Sequence, residues 1–308
     1  METQLALEKW PGIISTVTIG AKKEVKIGGQ NTLPLLFKES GTPNKPRIAF
    51  EIWDIPAQDW PEELTSAYGG AINDPFAWAE KCVNEYQAQL LCVKMQGTHP
   101  DFGNKGAQEA AKFISTLLSK VKIPLVIIGS GDEAKDNLIM PDCSQAAKGE
   151  RCLIGCAVQD NYKTLVAAAL ADGHSIIAES PIDINIAKQL NILISDMGLN
   201  LERIVINPTI GALGYGLEYA YSIMERARLA ALSGDKTLAM PFICFVGQEA
   251  WRAKEAKAAA EQGIIWEAIT ATSLIQSGAD LLVMRHPKAA QKVNSYIEAL
   301  YSVNESGK

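Results

Sequence analysis

The chain of 308 residues carries 29 Lys and Arg against 35 Asp and Glu, and this net charge of −6, with no basic block, argues against a nucleic-acid partner. Its composition, with 47% hydrophobic residues, is that of a globular protein, and no apolar run approaches the ~18 residues of a membrane helix. The N-terminus METQLALEKWPG has no signal-peptide core, so we expect a cytoplasmic protein with no membrane partner.

Residues 1–46 predict a β-hairpin and a linker. The segments STVTIGA and EVKIGGQ predict two short strands joined around Ala21–Lys23. The Pro-, Gly- and Asn-rich segment ESGTPNKP then predicts a linker. We therefore divide the chain into an N-terminal extension, residues 1–46, which we expect to cap the bottom of the main domain, and that main domain, residues 47–308.

The main domain alternates apolar runs with amphipathic helical stretches. The runs are continuous, without an in-and-out pattern, which predicts strands buried on both faces. Eight of them follow one another: RIAFEIWD, LLCVKMQG, PLVIIGSG, CLIGCAVQD, HSIIAESP, RIVINP, MPFICFVG and DLLVMRHP.

Helix signals lie between these runs. Asn73 and Asp74 are N-cap candidates before Pro75, and Gly173 ends the helix that begins near Asp160. Eight strand–helix units over roughly 250 residues predict an α/β fold, the (β/α)8 TIM barrel. A doubly wound sheet is the competing fold, because alternation alone does not decide whether the sheet closes. The number of units favours the barrel.

The carboxyl ends of the strands form the active face of such a barrel. Polar residues at these ends are therefore the candidates for chemistry: Trp53, Asp54, Gln96, His99, Asp132, Asp160, Asn161, Glu179, Asp183, Asn207, Thr209, Gln248, Arg285 and His286.

Three of these residues suggest a metal site. Barrel closure brings His99 and His286 next to Asp54, and two imidazoles with a carboxylate bind catalytic metals. Each histidine, however, precedes a proline at an expected helix start, so helix capping is favoured. Lys94 is a candidate Schiff-base residue, although a buried ion pair or a snorkelled side chain is favoured. The six cysteines form no C-x-x-C pair, so we expect reduced, buried thiols and no metal cluster.

The loop IGALGYG follows the sixth predicted strand. Its residues Gly211, Gly214 and Gly216 permit close backbone approach or positive φ. It lacks a P-loop lysine, and the ends of the last two strands share a single glycine, so a phosphate or phosphosugar site is disfavoured. Tyr215 and Tyr219 suit a large, flat, mostly apolar ligand or another protein, unless they pack between helices.

Several segments, in one order, resemble a known family over roughly residues 25 to 300. The sequence is similar to the small subunit of the corrinoid iron–sulfur protein, called the delta subunit of acetyl-CoA decarbonylase/synthase in archaeal complexes. The segments that carry the resemblance are INDPFAWAEKCVNEY, DNYKTL, ESPIDINIAKQLNILISDMGL, GALGYGLEYAYSIMERARLAAL, MPFICFVGQEAWRAKEA and GADLLVMRHPKA.

The resemblance implies a non-catalytic barrel subunit that pairs with a larger subunit. In that family the large subunit carries a 4Fe-4S cluster and a corrinoid-binding domain, and the cobamide lies at the interface near the small subunit's C-terminal rim. The heterodimer receives a methyl group from methyltetrahydrofolate through a separate methyltransferase. It passes the group to acetyl-CoA synthase in the reductive acetyl-CoA pathway. The implied cofactor platform, with no catalytic residue or metal ligand, consists of Asp183, Asn207, Thr209, Gly211, Leu213, Gly214, Tyr215, Gly216 and Gln248.

Two other functions stay open. A stand-alone methyltransferase barrel would bind the pterin of methyltetrahydrofolate through four polar rim residues: Asp132, Asp160, Asn161 and Asn207. A metal-dependent hydrolase would use Asp54, His99 and His286. The carrier subunit is favoured, because several motifs in one order are more specific than any single rim residue.

Overall fold

The computed structural model describes residues 8–34 and 42–302. Its first element is an antiparallel hairpin of β1 (Thr16–Ile19) and β2 (Val25–Gly28). This is the hairpin that the sequence predicts. The start of the N-terminal extension and part of the linker ESGTPNKP lie outside the described residues, so the domain boundary at residue 46 stays a prediction.

Eight parallel strands form a closed barrel, in which each strand pairs with the next along the chain and the last pairs with the first. They are β3 (Arg47–Trp53), β4 (Leu91–Lys94), β5 (Leu125–Ile128), β6 (Leu153–Ala157), β7 (Ser175–Glu179), β8 (Ile204–Asn207), β9 (Phe242–Cys244) and β10 (Ala279–Met284). The strands coincide with the eight apolar runs. Closure confirms the TIM barrel and excludes the doubly wound sheet.

Helices surround the barrel. They are α1 (Glu62–Thr65), α2 (Pro75–Asn84), α3 (Ala107–Val121), α4 (Glu133–Ala146), α5 (Tyr162–Asp172), α6 (Ile184–Asp196), α7 (Leu217–Leu232), α8 (Val246–Ala250), α9 (Ala260–Ser277) and α10 (Pro287–Ser302). As predicted, the Asp74 side chain caps α2 and Gly173 ends α5 in a left-handed conformation. None of the helices in the described ranges has both the length and the apolar character that a bilayer crossing requires.

The hairpin closes the N-terminal end of the barrel. Ser15 donates its amide to the Ala239 carbonyl at 2.8 Å, just before β9, and Gly20 donates to the Arg151 carbonyl at 2.9 Å, just before β6. Val17 is buried against the lower layer of the barrel interior. That layer is apolar and consists of Ala49, Leu90, Cys92, Val126, Leu153, Val205, Ile243 and Leu281. Burial of apolar surface makes this end a closed core.

A buried polar cluster fastens the same end. Arg228 on α7 forms a 3.0 Å ion pair with Asp280 at the start of β10, and both residues are 2% exposed. Arg228 also donates to the Gly278 carbonyl and to the Gln30 side chain, and Gln30 donates to Asp280 at 2.7 Å. The cluster therefore joins the segment after the hairpin to an outer helix and a barrel strand.

Candidate functional site

A second layer of inward-facing residues lies at the C-terminal end of the barrel, and this layer is polar. Side chains alternate along a strand, and on five of the eight strands an inward apolar residue is followed, two positions later, by a polar one. The polar layer consists of Glu51, Lys94, Glu179, Asn207 and Arg285. The barrel interior therefore changes from apolar to charged toward the face on which TIM barrels carry their active sites.

Glu51 and Arg285 form a buried ion pair in this layer. Arg285 donates to both Glu51 carboxylate oxygens, at 2.8 and 2.7 Å, and its guanidinium lies 4.7 Å from the Trp60 ring centroid. Burial raises the pKa of Glu51, but the charge and hydrogen bonds of Arg285, the Lys94 charge and the Trp53 hydrogen bond together outweigh it, so the pKa is lowered overall. The sequence reading missed Glu51, although one acidic residue inside the apolar run RIAFEIWD pointed to an inward-facing partner.

Lys94 reaches the polar layer without a hydrogen-bonding partner. Within the described ranges, its Nζ forms no salt bridge and donates no hydrogen bond, and it lies 5.6 Å from the Trp53 ring centroid. Burial lowers the pKa of Lys94; Glu51 opposes this shift and Arg285 adds to it. Of the two roles that the sequence favoured for Lys94, the ion pair is not formed among the described residues, whereas a partly buried side chain that reaches the cavity agrees with the snorkelled one.

A cavity of about 360 Å³ opens at this mouth of the barrel. The polar side chains that line it include Lys94, Asn161, Glu179, Asn207, Gln248 and Arg252. Asn207 donates its side-chain amide to Glu179 at 2.7 Å and accepts a hydrogen bond from the Thr209 amide at 3.1 Å. Apolar wall surface comes from Ile128, Ile210 and Phe245. The cavity thus combines flat apolar walls with opposite charges on different strands.

Two neighbouring loops at the mouth hold β-branched residues in an unusual backbone conformation. Ile182, between β7 and α6, has a φ of 27°, and Thr209, between β8 and α7, has a φ of 49°. The Ile182 amide donates to the Thr209 hydroxyl at 3.1 Å, and this hydroxyl donates to the Ser180 carbonyl at 3.1 Å. β-Branched residues rarely adopt positive φ, and such strain is concentrated at functional sites.

The glycine loop after β8 uses its glycines in two ways. Gly211 packs against its own loop, since a Cβ there would lie 2.3 Å from the Tyr215 carbonyl oxygen. Gly214 and Gly216 have φ values of 77° and 100°, and Gly214 faces open space. Tyr215 and Tyr219 are 52% and 62% exposed, so they do not pack between helices. The loop, through Tyr215, and the first turn of α7, through Tyr219, present aromatic surface at the mouth.

Helix α9 holds this loop. Trp266 donates its indole N–H to the Leu213 carbonyl at 3.2 Å, and the Leu213 amide donates to the Thr270 hydroxyl at 3.4 Å. One turn apart on the same helix, Ile265 and Ile269 are each 42% exposed. The loop and the helix that anchors it therefore both expose apolar side chains.

The nine residues of the predicted platform fall into three groups. Asn207, Thr209 and Gln248 line the cavity. Five belong to the glycine loop beside it: Gly211, Leu213, Gly214, Tyr215 and Gly216. Asp183 belongs to neither group, and its carboxylate caps α6 by accepting the Asn185 amide at 2.7 Å.

The four residues of the predicted pterin site are also divided. Asn161 and Asn207 line the cavity. Asp132 instead caps α4 by accepting the Lys135 amide at 2.8 Å, and Asp160 is exposed outside the cavity lining. The structure brings only the two amides of this set together.

The histidines are used in hydrogen bonds to the backbone. His286 accepts the Lys288 amide at 3.1 Å, which is the predicted capping role at the start of α10. The helix start expected after His99 is wrong. His99 follows a 3₁₀ turn and accepts the Asp101 amide in the next turn, and α3 begins only at Ala107.

The proposed hydrolase residues do not converge. Asp54 accepts the Gly97 amide at 2.6 Å and pairs with Lys105 at 3.0 Å. Across the described part of the chain, no group of three His, Cys, Asp or Glu side chains is arranged to hold a metal ion. All six cysteines are unpaired thiols, and only Cys156 is partly exposed. The geometry therefore gives no support to a metal-dependent hydrolase.

The sequence matches one protein family over most of its length. Residues 16–301 match the family model described as the CO dehydrogenase/acetyl-CoA synthase delta subunit. The acetyl-CoA decarbonylase/synthase complex subunit delta of Methanothermobacter thermautotrophicus is 36% identical, over 92% of this chain and 75% of the relative. The corresponding subunit of Methanocaldococcus jannaschii is 37% identical, over 91% of this chain and 72% of the relative.

Solved structures share the barrel at low sequence identity. Dihydropteroate synthase from Xanthomonas albilineans superposes with a TM-score of 0.62 at 13% identity, over 94% of this chain and 98% of the other. The 7,8-dihydropteroate synthase of Vibrio fischeri gives a TM-score of 0.63 at 11% identity, over 93% and 98%. Identity at this level shows a shared fold and no more.

Proposed function

This chain belongs to the CO dehydrogenase/acetyl-CoA synthase delta subunit family, and we propose that it is the small subunit of a heterodimeric corrinoid iron–sulfur methyl carrier. Its partner is a larger subunit that holds the 4Fe-4S cluster and shares the cobamide with it. The heterodimer receives a methyl group from methyltetrahydrofolate through a separate methyltransferase. It delivers the group to acetyl-CoA synthase in the reductive acetyl-CoA pathway, in the cytoplasm.

The observation that carries this proposal is the exposed glycine loop. Tyr215 and Tyr219 are more than half exposed, and Gly214 faces open space with positive φ. When another surface covers exposed aromatic rings of this kind, their apolar area is removed from water, which favours binding. The loop lies at the mouth of a barrel whose polar rim residues mostly serve caps and turns. Such a rim suits contact with a partner and its cofactor better than chemistry of its own.

The loop residues fit a corrinoid that the partner holds. A corrinoid bound there would supply cobalt as the carrier of the methyl group. This chain contributes placement: Leu213, Tyr215 and Tyr219 offer apolar contact, and Gly214 leaves room for close approach. Anchoring by Trp266 and Thr270 keeps the loop in one conformation, so less conformational entropy is lost on docking.

A stand-alone methyltransferase that binds the pterin itself is the second candidate function. One observation favours it, the cavity of about 360 Å³ beside the glycine loop. Structures of the same fold include dihydropteroate synthases, one of them in complex with pteroic acid. Only Asn161 and Asn207 of the four predicted pterin residues line the cavity, however, and the family relationship favours the carrier subunit.

Substitution of Gly214 tests the carrier role. Gly214→Val adds a β-branched side chain at positive φ on the proposed platform, so the heterodimer should retain less cobamide. Gly149→Val is a matched control, because Gly149 also has positive φ and open space around it but lies before β6, at the opposite end of the barrel. Both changes carry a similar backbone strain, about 1–3 kcal/mol.

Cobalt per heterodimer, measured after size-exclusion chromatography, distinguishes the two variants. The proposal predicts a loss of cobalt in Gly214→Val and wild-type content in Gly149→Val. Equal cobalt content in both variants would show that the loop does not touch the cofactor.

A further inference from the structure

A second cavity lies at the closed end of the barrel, beside the hairpin that covers it. Its volume is about 250 Å³, and four segments line it: β1 of the hairpin, the segment before β6, the start of β7 and the turn before β8. The residues that line it are polar, apart from Gly173. The cavity therefore lacks the apolar walls of the one at the mouth, and it suits a small polar ligand.

Arg203, in the turn before β8, brings a positive charge to this cavity. The residue is partly buried, and its Nη2 donates to the Ala169 carbonyl at 2.9 Å and to the His174 carbonyl. Within the described ranges, no carboxylate pairs with it, and burial lowers the pKa of Arg203. A guanidinium carries five N–H donors, so the N–H groups on its other two nitrogens are available to an anion.

Arg151 brings a second guanidinium from another wall. Its backbone carbonyl accepts the Gly20 amide of the hairpin at 2.9 Å, which fixes the residue beside β1. Its Nη1 donates to Glu24 at 3.1 Å, and both side chains of this pair are largely exposed. Because exposed ion pairs contribute little free energy, this contact leaves Arg151 able to share its charge with a ligand.

Neutral donors complete the lining. Ser175 is only 7% exposed, yet its hydroxyl has no hydrogen-bonding partner in the part of the chain that the structure describes. A buried hydroxyl without a partner is costly, and a ligand acceptor would remove that cost. The Asn200 side-chain oxygen accepts the Glu202 amide at 2.9 Å, which leaves the Asn200 NH₂ group as a donor. Thr18 adds a hydroxyl from the hairpin.

The arrangement of these donors defines the ligand. They come from four segments, so a ligand between them needs acceptor atoms in several directions, as a tetrahedral oxyanion has and a planar carboxylate does not. Arginine binds phosphate oxygens in a bidentate arrangement. A volume of about 250 Å³ is below the usual range for drug-sized ligands. Glu202 is the acidic residue of the lining, and it is exposed, so its charge weakens anion binding without filling the cavity.

We propose that this cavity binds a phosphate group, either as inorganic phosphate or as a small phosphate monoester. Arg203 and Arg151 pair with its negative charge. Ser175, Asn200 and Thr18 donate hydrogen bonds to its remaining oxygens. The bound group links the hairpin to the start of β7 and to the turn before β8. The site lies at the end of the barrel opposite the glycine loop, so it is independent of the carrier role.

Calorimetric titration of the full chain at constant ionic strength tests the site. Inorganic phosphate, glycerol 3-phosphate and acetate are the three probes. Arg203→Met should raise the dissociation constant for phosphate about tenfold to a hundredfold, and Ser175→Ala about tenfold, as expected for hydrogen bonds that involve a charged group. Glu202→Gln removes a repelling charge and should lower the dissociation constant about twofold to fivefold.

Matched controls come from α7. Arg226→Met and Glu225→Gln make the same chemical changes at exposed positions outside the cavity lining, so both should bind phosphate like wild type. Tighter binding of glycerol 3-phosphate than of inorganic phosphate supports a monoester as the ligand, and the reverse order supports the free ion.

Three results would overturn the inference: no binding of either phosphate, binding of acetate as tight as that of phosphate, or equal affinities in Arg203→Met and Arg226→Met. Arg203 also holds the carbonyl of Ala169 in α5, so Arg203→Met could fail to fold. In that case Ser175→Ala and Glu202→Gln decide, because the proposal requires their affinities to shift in opposite directions. Wild-type affinity in both of these variants would overturn it equally.

Discussion

The two ends of the barrel differ in how completely their charged side chains are paired. At the N-terminal end, Arg228 and Asp280 pair with each other, and both are 2% exposed. At the C-terminal end, Lys94 faces a cavity with no hydrogen-bonding partner in the described ranges. Paired buried charges fix geometry. The first end pairs its buried charges, whereas the second combines the buried pair of Glu51 and Arg285 with a partly buried lysine that has no hydrogen-bonding partner among the described residues.

The backbone shows the same contrast. Two β-branched residues among those described have positive φ, and both of them, Ile182 and Thr209, lie at the C-terminal mouth. Close turns around the hairpin at the other end instead use glycines with positive φ, such as Gly20 and Gly28, at no steric cost. Positive φ at β-branched residues and the unpaired Lys94 therefore coincide at one face, the functional face of this fold. The non-glycine residues with positive φ near the other end, Gln87, Lys122 and Arg151, are not β-branched.

Breaking the ion pair at the closed end should have the largest effect on stability. Arg228→Met leaves Asp280 buried without its counter-ion and should lower the free energy of unfolding by about 3–5 kcal/mol. Arg226→Met, an exposed change two residues earlier on α7, should alter it by less than about 0.5 kcal/mol. Urea unfolding of both variants measures the difference. A loss below about 1 kcal/mol in Arg228→Met would contradict the view that this cluster fastens the barrel.

Relieving strain at the open end should have a smaller effect of opposite sign. Ile182→Gly removes a β-branched side chain at positive φ and should raise the free energy of unfolding by about 1 kcal/mol, since strain of about 1–3 kcal/mol outweighs the added unfolded-state entropy. Ile192→Gly, at a comparably exposed position inside α6, should instead lower it by about 0.5–1 kcal/mol. Thermal unfolding followed by circular dichroism compares them. If both variants lower the free energy of unfolding, the backbone at Ile182 is not strained.

The smallest effect is a pH dependence at His286. Burial, with a contribution from Lys288, lowers the pKa of His286 to about 4. The folded state therefore favours the neutral ring, and this contribution to stability is lost as the pH falls from about 6.5 toward about 4. His286→Asn keeps a cap acceptor for α10 and removes the titration. The stability advantage of wild type over this variant should shrink between pH 7 and pH 5.

The neighbouring carboxyl group of Glu267 also titrates in this pH range, but it is present in both wild type and the variant. Burial raises the pKa of Glu267 to about 7, and its carboxylate accepts the backbone amides of Arg285 and His286. Because the His286→Asn variant retains Glu267 and both amides, the contribution of Glu267 cancels in the comparison with wild type. A difference between the two proteins that stays constant from pH 7 to pH 5 would rule out the neutral-ring argument.

The barrel could be predicted from the sequence because both faces of its strands are buried. Runs such as PLVIIGSG leave no polar face, and eight of them fix the number of strands. Local capping chemistry at Asp74 and Pro75 gave the start of α2 to the residue. Local rules failed at His99, where the dipeptide His-Pro begins a turn and not a helix, because a 3₁₀ turn before it redirects the chain.

The polar layer of the site could be predicted only in part. Lys94, Glu179 and Arg285 stand at the ends of apolar runs and were visible as candidates. Glu51 lies inside the apolar run RIAFEIWD and not at its end, and its partner Arg285 is far away in sequence. Pairing of this kind depends on which strands become neighbours on closure. The cavity and the strained contact between Ile182 and Thr209 have no local sequence signature at all.

Affinity capture of the chain from the cytoplasm that produces it tests the central claim most directly. The captured material would be examined by gel electrophoresis, visible absorption spectroscopy and metal analysis. The carrier proposal predicts one larger partner that brings cobalt and iron in a ratio of about one to four, as one cobamide and one 4Fe-4S cluster require. A colourless chain captured alone, without cobalt or iron, would contradict it.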